Sequence, residues 1–221
     1  MSIEVTYIDH MGSDLSVVNA ARVSFGKSSE MDRSDQWGPP KLKDKDAKLI
    51  KYLAKHKHTS PFNHTFMTVH VKAPIFVARQ LQKHEYMPWN EISRRYVDDE
   101  PEFYEPDQWR DKSEDKKQGS GGKSQSQYFP NIYVKEVTEK ALGDYKKMLT
   151  QGIAPEQARM ILPQNMMTEW YWSGTVGAFA KMCNLRCKPD TQLETRTVGN
   201  EVSNIMSIYF PVSWEALKHD Y

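Results

Sequence analysis

Cysteine is scarce in this 221-residue chain: only Cys183 and Cys187 are present. Two residues four apart, in a segment with helical patterning, would share one face and do not make a disulfide framework, so reduced thiols in a cytoplasmic protein are expected. Long apolar runs are missing too. None approaches the roughly 18 residues of a membrane span, and the opening MSIEVTYIDHMGSD has no basic stretch followed by an apolar one. A soluble protein that is not exported is the expectation. Charge of one sign is not in excess, with 30 Lys plus Arg against 29 Asp plus Glu. That balance argues against a partner such as long nucleic acid, and any anion site must be built locally. There is no Gly-rich dinucleotide fingerprint, heptad array or internal repeat. His56, His58, His64 and His70 fit no compact ligand signature, so no metal is expected.

What remains is a pattern of helices around a few strands. Ile3 to Ile8 alternates weakly, as an edge strand does, and Ser13-Asp14 precedes an apolar-periodic helix through Arg22. The polar SFGKSSEMDRSDQWGPP reads as a loop, and Asp44 to His56 as a helix whose lysines face water. Thr65 to Val71 is β-branched and aromatic with a period near two, which predicts a strand. Pro74 suits the first position of a helix running from Ile75 to about Glu85. Pro106 to Pro130 has the composition of a loop or lid. Helical spacing returns over Asn131 to Leu149, after Pro155, from about Thr168 to Asn184, and from Pro189 to Met206. On that helical reading, Trp170, Tyr171 and Trp172 would point in different directions, with Trp172 in the core. One α+β domain over residues 1–221 is expected, with a small mixed or antiparallel sheet and surrounding helices.

Functional side chains concentrate between Arg79 and Tyr96, in RQLQKHEYMPWNEISRRY. A phosphate is held by backbone N–H groups, a hydroxyl and a guanidinium fork, and Ser93-Arg94-Arg95 in a turn supplies all three. A solvated basic turn closing a helix accounts for the same three residues. Ser93 has no triad base within sequence reach, so it reads as a binder and not a nucleophile.

The wider arrangement resembles the flavin-dependent thymidylate synthases, which carry Arg-His-Arg, seven residues, then Ser, usually followed by x-Arg-Tyr. Here Lys83-His84-Glu85 is followed after seven residues by Ser93-Arg94-Arg95-Tyr96. The likeness extends through Ala20 to Phe25, Ser60-Pro-Phe62, Val71 to Gln80, Lys117-Gln-Gly-Ser120, Ala158-Arg159, Trp172, and Asn184-Leu-Arg186 with Gln192 and Glu194. It implies an α+β homotetramer with active sites between subunits, a reaction joining a methylene from methylenetetrahydrofolate to C5 of dUMP, FAD as hydride carrier and NADPH as reductant. Gln80, Lys83, Glu91, Ile92, Ser93, Arg94, Arg95, Arg159 and Arg186 are implied to hold dUMP, with Arg186 facing the pyrimidine as the catalytic cation. Ser60, Lys83, His84, Glu85, Glu91, Thr175 and Lys181 are implied to lie at FAD.

The chain departs from that pattern mainly at the flavin end. Lys83 lacks a bidentate fork and Glu85 reverses a charge. Pro88 replaces a small or hydroxylated residue. The stretch Thr175-Val176-Gly177 stands where an Asn and an Arg are typical, Lys181 replaces an Asn, and Asp190 a His. Three readings stay open: a synthase that holds FAD with other groups, a pyrimidine nucleotide hydroxymethylase, or a nucleotide-binding homologue without turnover.

Overall fold

The computed structural model describes residues 2–35, 37–97, 99–114 and 119–218. In chain order its elements are β1 (Glu4–Met11), α1 (Asp14–Arg22), α2 (Asp44–Lys55), β2 (Phe66–Pro74), α3 (Ile75–Leu81), β3 (Trp89–Glu91), α4 (Tyr128–Thr150), α5 (Pro155–Ala158), β4 (Met167–Gly174), α6 (Val176–Arg186), α7 (Leu193–Tyr209) and α8 (Pro211–Leu217). The four strands form one antiparallel sheet in the order β1-β2-β4-β3. The expected α+β class is thus observed, and the sheet is wholly antiparallel. No helix among the described residues is long and apolar enough to cross a membrane.

The period of two decides which face of the sheet is covered. In β2, Met67, Val69, Val71 and Ala73 are buried, and in β4 so are Thr168, Trp170, Trp172 and Gly174. Their apolar side chains meet α3, α6 and α7 in one core that also takes in Phe179, Val198, Val202 and Phe210. Each large side chain buried there contributes roughly 1.5–3 kcal/mol. The opposite face is polar and partly open, with His70 Nε2 placed 3.1 Å from Glu169 Oε2.

Three expectations need correction. The stretch from Thr168 to Gly174 is a strand and not the start of a helix. Trp170 and Trp172 are two apart, so they point to the same buried face while Tyr171 is half exposed on the other. The Trp172 position in the core is as expected. Secondly, Pro74 ends β2 and caps α3 from outside, at φ −68° and ψ 153°; it is not the first helical residue. Thirdly, α3 stops at Leu81, short of Glu85. Tyr86 takes a left-handed φ of 59°, which reverses the chain towards β3 and places Lys83, His84 and Glu85 in a turn.

A second core lies between α1, α2 and the segment after α2, around Val17, Val18, Ile50, Leu53 and Phe62. Two acids tie it together. Asp46 is fully buried and receives Arg22 and the Ser29 hydroxyl. Burial acts to raise its pKa, but those two partners outweigh it and hold the carboxyl below its ordinary range. Asp14, also buried, accepts the backbone N–H groups of Val212 and Ser213 at 2.9 and 2.8 Å, so the start of the chain caps α8 near its end. Asp14→Ala leaves both donors without that acceptor and is expected to cost about 2 kcal/mol. A denaturant midpoint unchanged from wild type would contradict this role.

Candidate active site

Three hollows each draw on a different part of the Arg79 to Tyr96 signature, and the turn after α3 lines the first two. The first, about 420 Å³, is lined by Gln80, Lys83, Gly119, Arg186, Thr191 and Gln192. Gln80 reaches it from α3 and Arg186 from the last turn of α6. The Arg186 guanidinium donates from Nη2 to the Gln80 carbonyl at 3.1 Å and from Nε to His84 Nε2 at 3.1 Å. Accepting at Nε2 puts the ring proton of neutral His84 on Nδ1. Burial, then the charges of Arg186 and Lys181, push the His84 pKa down from 6.5 to about 4. The imidazole is therefore neutral near pH 7, and the Arg186 cation has no carboxylate neutralising it among these contacts.

The second hollow is a cleft of about 1290 Å³ between α2, α6 and α8. Of the flavin residues implied by the resemblance, Glu85, Thr175 and Lys181 line it. Ser60 flanks it between the lining residues Thr59 and Phe62. Thr175 caps α6 by accepting the Ala178 N–H at 3.1 Å, and its hydroxyl donates to Asn63 Oδ1 at 2.9 Å. Gly177 belongs to the same contact, since a Cβ there would come within 2.8 Å of Asn63 Oδ1. An arginine at this position would have to displace Asn63. Glu85 and Lys181, both departures from the family pattern, face each other at 3.9 Å. Both side chains are largely exposed, so the pair contributes little energy, but the reversed charge has a partner. Lys51, Lys55 and Lys57 also line this cleft. On the sequence pattern alone, the first two are ordinary water-facing positions of a helix.

The third hollow, about 380 Å³, collects Arg79, Glu91, Ile92, Arg94 and Arg159 and shares no lining residue with the first. Glu91 accepts from Thr168 Oγ1 at 2.7 Å and from Trp89 Nε1 at 3.1 Å, which fixes it beside β4 and away from the Lys181 cleft. Ser93 and Arg95 lie just outside in the expected turn, where the Arg95 Nε–H donates to Ser93 Oγ at 3.3 Å. Arg159 is exposed and donates to the Glu156 carbonyl at 3.4 Å. One chain therefore brings Gln80, Lys83 and Arg186 together, and separately Glu91, Ile92, Arg94 and Arg159. It does not unite the two sets.

Residues absent from the implied site join it in space. Thr191, Gln192 and Gly119 line the first hollow, and Thr195 bonds to Gln80. Only Gln192 and the Gly119-Ser120 pair carried a prior signal, as part of the family likeness. Lys117 and Gln118 of that likeness lie outside the described residues, as does part of the charged run from Asp111. No group of three or more His, Cys, Asp and Glu side chains among the described residues is arranged to hold a metal.

The His84 environment has a measurable consequence. Its folded pKa lies below the ordinary 6.5, so the folded state binds fewer protons than the unfolded state between about pH 4 and 6.5. The stability it contributes is complete above that range and is lost as pH falls through it. An NMR titration should place the His84 midpoint near 4, and Arg186→Gln should raise it. A midpoint at 6.5 in the wild type would contradict the geometry.

The family model for thymidylate synthase complementing protein (Thy1) matches residues 6–212. A flavin-dependent thymidylate synthase of Thermus thermophilus is 38% identical over 214 residues, covering 97% of this chain and 75% of that protein. Another, from Thermosipho africanus, is 36% identical over 217 residues, covering 97% and 90%. Among solved structures, the UMP/dUMP methylase PolB of Streptomyces cacaoi bound with 5-Br dUMP superposes with a TM-score of 0.83 at 32% identity, covering 97% of this chain and 94% of that one. With its residues matched almost from end to end, this chain belongs to the Thy1 family, that of the flavin-dependent thymidylate synthases.

Proposed function

We propose that the protein converts dUMP to dTMP by reductive methylation, with methylenetetrahydrofolate as carbon donor, FAD as hydride carrier and NADPH as reductant. The observation that carries this reading is Arg186, held as a cation at the wall of the 420 Å³ cavity beside Gln80 and Lys83. A fixed cation beside a bound pyrimidine favours loss of the N3 proton and makes C5 a better nucleophile. It does so without a covalent bond to the enzyme. Lys83 and Gln80 line the same cavity, and in this reading Lys83 meets the nucleotide's anionic end and Gln80 its polar groups.

The residues of the large cleft fit a dinucleotide carrying a diphosphate. Lys55 and Lys57 supply positive charge beyond the Lys51–Glu215 and Lys181–Glu85 pairs, and the α6 N-terminus opens nearby with Thr175 as its cap and Gly177 in its first turn. FAD bound there would supply hydride chemistry that no side chain provides. His84 and Glu85 sit where the two hollows approach, His84 bonded to Arg186 and Glu85 lining the cleft.

The Glu91 to Arg95 segment and Arg159 act in this reading on the nucleotide of a neighbouring subunit. Supporting that arrangement, α4 leaves Phe129, Tyr133 and Val137 exposed at successive turns, and Tyr145 is its only buried residue among those described. A homotetramer with shared sites covers such a face.

With reduced FAD and methylenetetrahydrofolate, the protein should release tritium from C5-labelled dUMP and yield a methylated product. Arg186→Ala should lower kcat by about 100-fold or more with little loss of stability, as removal of one fixed transition-state donor does. No tritium release despite dUMP binding would contradict the synthase reading. A hydroxymethylated product formed without hydride would replace it with the hydroxymethylase.

A further inference from the structure

Glu194 is a buried acid that the proposed chemistry does not use. It lies in the first turn of α7, is 4% exposed, and is not among the residues lining the Arg186 cavity. A carboxylate so placed needs partners, and it has them on both sides. Oε1 receives Arg110 Nη2 at 2.6 Å, while Oε2 receives Gln192 Nε2 at 3.1 Å. Gln192 Oε1 in turn accepts from Gln80 Nε2, and Gln80 Oε1 accepts from Thr195 Oγ1 at 3.1 Å. Both glutamines line the cavity.

The polarity of this chain of contacts follows from its charged end. A carboxylate paired with arginine only accepts hydrogen bonds, whereas the two ends of a glutamine amide are almost the same shape and differ only in donating or accepting. Gln192 must therefore turn its NH₂ towards Glu194. Its oxygen then faces Gln80, which must offer its own NH₂ and leave its oxygen to the Thr195 hydroxyl. Two amides at the cavity wall thus take their orientation from one acid behind it.

The same acid seats the adjoining loop. Arg110 Nε donates to Ser120 Oγ at 2.7 Å, and the backbone around it pairs as a narrow ladder, with Asp111 N–H to Gly122 O at 3.0 Å and Ser124 N–H to Trp109 O at 2.9 Å. Gly119, at φ 83°, then meets the turn before α7 backbone to backbone: a Cβ there would lie 2.6 Å from the Asp190 carbonyl oxygen. Gly119 is itself part of the cavity wall.

We infer that Glu194 is a positioning residue for the nucleotide site: it fixes the amide orientations of Gln192 and Gln80 and, through Arg110, holds Gly119 and Ser120 against the cavity. This rests on the reading that the cavity takes dUMP. A site whose donors and acceptors are set in advance binds its ligand without first having to order them.

The test is a double-mutant cycle on the flavin-loaded enzyme, reading KM for dUMP, kcat and thermal midpoint. Glu194→Gln removes the acceptor-only end, and Gln192→Met breaks the link to Gln80 while sparing the Arg110 pair. Each should raise KM about tenfold, the loss of roughly one oriented hydrogen bond, with a smaller change in kcat. Because Glu194 acts on Gln80 through Gln192, the double variant should stay close to the worse single one, and Glu194→Asp should recover part of the loss. Should Glu194→Gln fail to fold with Arg110 unpaired, Arg110→Met combined with Glu194→Gln removes both charges and should show the same KM rise. KM within twofold of wild type in whichever of these two folds, or single effects that multiply to about a hundredfold in the double variant, would overturn the inference. Wild type that does not bind dUMP would overturn it together with the substrate reading; wild type that binds while the Glu194 variant binds equally well overturns this inference alone.

Discussion

The Arg186 guanidinium, bonded to the Gln80 carbonyl and to a neutral imidazole, is the constraint on which the rest of the site depends. Two neutral acceptors hold the group in place and leave its charge to act on whatever enters the cavity. A carboxylate in place of His84 would hold it equally well and cancel much of its field. Burial keeps His84 neutral, and the nearby Arg186 and Lys181 charges reinforce that state. The hydrophobic core serves the same end: α3 and α6, which bring Gln80 and Arg186 together, are both packed on the buried face of β2 and β4.

Around this centre the departures from the family pattern make sense as a set. Glu85 is faced by Lys181, so two changed charges offset one another. A side chain at Gly177 would have to displace the Asn63 amide, which bonds to Thr175. Positive charge at the opposite wall of this cleft comes from Lys55 and Lys57, Lys51 being paired with Glu215. The departures thus gather around the large cleft, while the Arg186 cavity carries one of them, Lys83.

Much of this was legible in the sequence where local chemistry speaks for itself. The alternation in Thr65 to Val71, the periodicity of Asp44 to His56 and the spacing from His84 to Ser93 each led to the right element or family. Reading Thr168 to Gly174 as helix failed because three consecutive aromatics obscure a period of two that burial makes plain. The end of α3 was misplaced because a left-handed Tyr86 is not a residue type that announces a reversal. The Gln80–Gln192 and Arg110–Glu194 contacts join residues 112 and 84 positions apart, and no local pattern encodes such a pairing. The lysines of the cleft looked like any solvated helix face until α6 was seen opposite them.

In the proposed homotetramer, the Arg186 wall and the Arg159 wall, apart in one chain, would build a single site between two chains. Coexpression of an Arg186→Ala chain with an Arg159→Ala chain tests it directly, since each variant keeps the wall the other lacks. If sites form between subunits, two nearly inactive variants should together recover about a quarter of wild-type turnover, from the sites that draw both intact walls by chance. Activity no greater than that of either variant alone, in mixed oligomers shown to have formed, would contradict the account.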